Sequence, residues 1–150
     1  MVKNYYYQGL PYPLSKSITF TGAAGLGAIG NVTFFTRTGG VHLVSLDVVI
    51  ETSLTEDAGT GVSSCSLGVV GNTTLFCAAV LSSLLVSTTP LWYTTTPNAT
   101  GIALDAKYKD IALAADIVMA VTSTGTRKVN GGKITMTATW FPTTSDGLLV

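Results

Sequence analysis

A chain of 150 residues with 8 basic and 8 acidic side chains, and therefore no net formal charge, fits one domain that hides about 70% of the surface its unfolded form exposes. Only 11% of residues are charged against 47% hydrophobic, so the basic face that phosphate recognition needs is missing and nucleic acid is excluded as a partner. The best apolar runs, Leu75 to Val86 and Ile111 to Val121, are interrupted by Ser82, Ser83 and Asp116 and fall short of the ~18 residues of a membrane-spanning helix.

In chain order, Met1 to Lys16 comes first and carries four of the six tyrosines. Its prolines, Pro11 and Pro13, hold the segment extended, and its aromatic side chains need a surface to cover them. We read residues 1–16 as an arm, either folded onto its own subunit or reaching a neighbour, with Tyr5, Tyr6, Tyr7, Pro11, Tyr12 and Pro13 as contact residues toward another subunit or another protein, and residues 17–150 as a β-sandwich domain. MVKNYYYQGLPYP lacks the apolar stretch of a signal peptide. The expectation is a soluble product made inside the cell.

Ser17 to Gly22 reads as a short strand, followed by a glycine-rich entry and a second strand within Asn31 to Gly39. Val41 to Thr52 predicts a long strand with His42, Val44, Leu46, Val48 and Ile50 on one face. Thr55 to Gly61 is a turn by composition. The segments before and after Gly71 and Asn72 predict a hairpin, and Leu81 to Val86 reads as a helical turn or an irregular strand. Prolines confine any strand in Thr88 to Pro97. Ile102 to Ala115 fits a helical stripe as well as short strands, and we take the strands. Asp116 to Ser123 and Lys133 to Trp140 are expected to close the chain as a hairpin. In the last of these, Ile134, Met136, Ala138 and Trp140 alternate with Lys133, Thr135, Thr137 and Thr139, the pattern of a half-buried strand. Short strands at regular spacing, rich in Thr and Val and separated by Gly, Asn and Pro, predict an all-β, single-domain sandwich of jelly-roll type.

Motifs that carry chemistry are weak. Gly25 to Gly30, GLGAIG, matches a dinucleotide fingerprint in letters, but the mechanism requires a helix directly afterwards. Asn31 to Thr38 has β-branched and aromatic residues instead, so a glycine-rich loop is expected. His42 is the sole histidine, and its place on a strand's apolar face reads as structural. One histidine and two cysteines twelve apart offer none of the usual zinc-ligand spacings. Cys65 and Cys77 can face each other across a hairpin, which makes a disulfide geometrically possible; two buried thiols are the preferred reading. Glu56 and Asp57 lie in a turn without the alternating oxygen ligands of a calcium loop. No catalytic residue, metal or cofactor is therefore assigned.

GLGAIGNVTFFTRTGG with VHLVSLDVVIET, and near the end DIVMAVTSTGTRKVNGGKITMTATWFPTTSDGLLV, resemble small β-rich virion proteins of tailed double-stranded DNA bacteriophages. The resemblance rests on a glycine-rich entry, a V-T-F-F strand, a V-x-L strand and a terminal G-G-K-I-T strand ending in W-x-P with a D-G tail. It covers mainly Ile18 to Ser53 and Asp116 to Val150, and implies a capsid decoration (cement) protein that binds a major capsid protein on the virion surface. Such proteins commonly form trimers, which agrees with the expectation that a neutral, apolar chain covers its surface by self-association. The alternatives are a head-fibre or tail component, or a receptor- or carbohydrate-binding module with Trp92 and Tyr93 as a stacking platform. A small hydrolase using His42 is a further class, disfavoured by the single histidine.

Overall fold

The structure, a computed structural model, describes residues 10–87 and 111–150. Ten strands are present among them: β1 (Tyr12–Thr19), β2 (Gly30–Phe35), β3 (Arg37–Thr38), β4 (Val41–Glu56), β5 (Ser63–Val69), β6 (Asn72–Leu81), β7 (Ile111–Ala112), β8 (Ile117–Ser123), β9 (Val129–Pro142) and β10 (Leu148–Leu149). A single 3-10 turn at Ser82–Leu84 follows β6, where the sequence left a helical turn or an irregular strand open. Of the ambiguous stretch from Ile102 to Ala115, residues 111 and 112 form a short strand and residues 102–110 lie outside the described residues, as do Trp92 and Tyr93.

Two four-stranded antiparallel sheets make an all-β sandwich, in the orders β1-β9-β4-β7 and β2-β8-β5-β6. Eight strands thus pair as β1 with β9, β2 with β8, β4 with β7 and β5 with β6, each pair lying in the sheet opposite to the pair before it. This winding is a jelly roll. It corrects one expectation, because β8 and β9 do not form a hairpin. The chain between them crosses from one sheet to the other, and β9 runs between β1 and β4.

β9 is the hub of the first sheet. Ile134, Met136 and Ala138 are fully buried and Trp140 is 7% exposed, and they pair on one side with Ile18 to Tyr12 and on the other with Ile50 to Leu43. Phe34 and Phe35 of β2, Leu67 of β5, Phe76 of β6 and Met119 of β8 meet them from the second sheet. The alternation predicted for β4 is kept from Leu46 to Ile50 but is out of phase before it. Leu43 pairs with Trp140 and Ser45 with Thr139, so Val44 is an extra residue, a β-bulge. Val41 and Leu43 therefore fill the core, whereas His42 and Val44 are only half-buried.

The outward face of the first sheet is lined with hydroxyls. Ser15 and Thr137 are 2.7 Å apart, and Ser17 and Thr135 2.5 Å apart. On the inward side of β1, Lys16 occupies the row of Leu14 and Ile18, opposite Met136, and remains exposed. A charge turned inward on an edge strand obstructs pairing with a further strand. β1 is such an edge.

Candidate functional site

β1 begins at Tyr12, five residues earlier than the domain start expected at Ser17, because Tyr12 and Pro13 pair with Trp140 and Thr139. The part of the arm from Tyr12 to Lys16 is thus sheet. Pro13 is tolerated since an edge strand leaves half of its backbone donors outside the ladder. Pro11 and Leu10 are exposed just ahead of the strand, and Tyr5, Tyr6 and Tyr7 lie outside the described residues.

Where β1 begins, an open groove of about 370 Å³ is lined by Tyr12, Pro13, Leu14, Trp140, Pro142 and Leu148. Its far wall follows from the turn after β9. Thr143 N–H donates to the Gly40 carbonyl at 2.8 Å, Gly40 N–H to Thr144 Oγ1 at 2.6 Å, and Gly147 N–H to the Thr144 carbonyl at 3.0 Å. Thr144 Oγ1 also donates to Asp146 at 2.6 Å, which holds that carboxyl below its ordinary value. Folded back in this way, Leu148 and Leu149 pair with Thr38 and Arg37. The groove is mainly apolar. The Tyr12 and Trp140 rings are 5.6 Å apart and tilted by 42°, Tyr12 and Leu148 are both more than 40% exposed, and the buried indole N–H of Trp140 has no acceptor among the described residues.

A second cluster, polar and half-buried, stands at the other end of β4. Glu56 Oε1 accepts the Ser63 backbone N–H at 3.1 Å and the Ser63 hydroxyl at 2.5 Å, while Oε2 pairs with Arg127 at 3.1 Å. A carboxylate only accepts, so Ser63 gives its one proton to Glu56 and receives one from Ser82, 2.7 Å away. The Cys65 thiol lies 3.3 Å from Ser82 and completes the row. Burial raises the Glu56 pKa, but the bonds from Ser63 and Arg127 outweigh it and the net shift is downward. Asp57 Oδ1 accepts the backbone N–H groups of Gly59 and Lys128, and Arg127 Nε donates to the Gly59 carbonyl at 3.0 Å. The expected turn from Thr55 to Gly61 thus begins only after Glu56, which ends β4, and this corner is laced to the start of β5 and to the loop before β9 through both Glu56 carboxylate oxygens and Asp57 Oδ1. Sequence reasoning missed the buried serines; the adjacent Arg127 and Lys128 and the neighbouring Glu56 and Asp57 were the available signal.

The remaining sequence candidates separate. GLGAIG leads into strand β2 and not into a helix, and Gly27 lies at φ +110° with its carbonyl accepting Val129 N–H at 3.0 Å. His42 stacks on Phe141 with ring centroids 4.7 Å apart. Among the described residues no three His, Cys, Asp or Glu side chains gather as a metal site. Cys65 and Cys77 are buried and free, and the register sets Cys77 opposite Leu67 and not opposite Cys65. Burial pushes the thiols up to about 11 and about 12 respectively. A thiol reagent at pH 8 is therefore expected to titrate neither cysteine in the native protein and both in denaturant. Prompt native labelling of either would contradict this packing. Comparison of the chain with protein-family models, with curated proteins and with solved structures found no match.

Proposed function

We propose that this chain is a structural virion protein, a capsid decoration protein that binds the outside of a phage head as a homotrimer and strengthens it. Jelly rolls serve as capsid and lectin domains alike, and a fold does not by itself assign a function. The observation that carries the assembly reading is local: a tyrosine-rich N-terminal segment joins the sandwich through a paired edge strand, directly beside an open apolar groove. Both features suit binding by area. Repetition over a symmetric lattice would multiply a modest affinity per subunit through avidity.

Quantitative mass spectrometry of purified virions tests the proposal. The chain is expected at a fixed ratio to the major capsid protein, and particles lacking it should release their DNA at a lower temperature until it is added back. A chain absent from virions, or one that binds a glycan array and leaves particle stability unchanged, would turn the reading toward a carbohydrate-binding module.

A further inference from the structure

We propose that Glu56, Ser63, Ser82 and Cys65 form a reversible proton row, in which a proton taken up by Glu56 turns every hydroxyl around and is felt at the buried Cys65 thiol, with no side chain leaving its place.

At neutral pH the row has one direction, and donor counting sets it. Glu56 Oε1 accepts both the backbone N–H and the hydroxyl of Ser63, so Ser63 Oγ is left to accept from Ser82, 2.7 Å away. Ser82 has then given its only proton, and across the 3.3 Å to Cys65 it can only accept. Every proton points toward the carboxylate. Ser63, Ser82 and Cys65 are fully buried, so the order of donors is passed along the row and not exchanged with solvent.

A proton added to Glu56 settles on one of two oxygens whose surroundings differ. Oε2 faces Arg127 Nη1 at 3.1 Å. Arg127 is pinned twice more, through its Nε on the Gly59 carbonyl at 3.0 Å and its backbone N–H on the Thr60 carbonyl at 3.1 Å, so a proton on Oε2 has to displace a held side chain. Oε1 faces Ser63 Oγ at 2.5 Å, which becomes an acceptor once its own hydroxyl turns toward Ser82. Ser82 then turns toward Cys65 Sγ, and only hydrogens move. Arg127 keeps Oε2 as a neutral acceptor. The far end tolerates the change because a thiol is a weak donor; an S–H turned into the apolar core loses less than a buried hydroxyl would.

The charges at this corner among the described residues are the Arg127 guanidinium and, next to Glu56 in the chain, Asp57, whose Oδ1 takes the Lys128 N–H. Cys65 is the titratable group on β5, and the 3-10 turn brings only Ser82 to the row. The bonds from Ser63 and Arg127 hold the Glu56 carboxyl below its ordinary value, which puts the reversal in acid.

Infrared spectroscopy of the S–H stretch tests this in the full chain carrying Cys77→Ala, so that Cys65 alone supplies the band. Carboxyl-carbon NMR follows Glu56 in parallel, circular dichroism marks the folded range, and sucrose extends that range. The expected result is a band at the hydrogen-bonded position at neutral pH that shifts to higher frequency on acidification, with the same midpoint as the Glu56 carboxyl and below 4.5. Ser82→Ala should leave the band at the free position at every pH, and Glu56→Gln should hold it fixed. A band that stays in place while the carboxyl titrates would show that the proton enters at Oε2 and overturn the reversal. A band already at the free position at neutral pH would show that Cys65 does not donate to Ser82 and overturn the row itself. Unfolding ahead of the Glu56 titration, even in sucrose, would also overturn it, since the reversed row would then have no folded chain to exist in.

Discussion

Gly27→Ala is expected to lower the melting temperature by about 6–12 °C. Gly27 sits at φ +110°, where a side chain is strained by about 1–3 kcal/mol. A Cβ there would also overlap the Val129 carbonyl and press on the Phe20 ring. Relief requires moving the start of β9, which breaks the hydrogen bond from Val129 N–H to the Gly27 carbonyl and disturbs Val129, a fully buried core residue. A loss of about 3 kcal/mol converts at ~2–4 °C per kcal/mol for a chain of this size. Gly25→Ala is the control: its φ is +72°, but nothing stands within 4 Å of the added carbon, so only the backbone penalty of ~1–2 kcal/mol remains. Equal melting temperatures for the two variants would refute the contact between this loop and β9.

Glu56→Ala is expected to cost about 3 kcal/mol in urea denaturation, with most of that traceable to Ser63 and little to Arg127. Two donors of a fully buried serine lose their acceptor, each at about 1–3 kcal/mol. The Arg127 side chain remains 32% exposed and can turn to water. Arg127→Met should therefore cost under ~1 kcal/mol, the range of solvent-accessible ion pairs. The pH dependence has a definite sign. Glu56 has a lowered pKa in the folded state, so its contribution is present above the ordinary value of 4.5 and is lost as pH falls below it toward the folded-state value. Glu51, Asp57 and Asp146 are shifted the same way, by bonds from Lys133 and Thr135, from the backbone of Lys128 and Gly59, and from Thr144. Stability should decline on acidification with a shallower slope in Glu56→Ala than in the parent; an unchanged slope would contradict the assignment.

Much of this architecture was legible from side-chain period alone. Ile134, Met136, Ala138 and Trp140 alternate without interruption, and the register shifts beside them place their extra residues in β4, so β9 itself keeps its face inward. Val44 shows where that method stops. A bulge is a property of register against the partner strand, so the phase of Val41 and Leu43 could not be read from β4 by itself. The β8–β9 connection failed for a related reason, since the same loop length serves a hairpin or a crossing between layers. At the N-terminus, the prolines hid β1, because composition cannot tell a free extended segment from an edge strand. The groove needed Tyr12, Trp140 and Leu148 to be brought together from both ends of the chain.

The pairing of β1 with β9 also governs when the molecule can fold. Ser15 and Thr137 touch across 122 positions of sequence, and β4, the other neighbour of β9, likewise waits for it. Contacts of such long range carry a large loop-closure cost before they return any stability, and they make folding slow. A chain still being synthesised can build the β5–β6 hairpin early, yet its first sheet stays without a centre until residues through Pro142 exist. Completion thus waits for β9, and the half-built first sheet, with β1 unpaired and β4 held only by β7, is the state most exposed to aggregation.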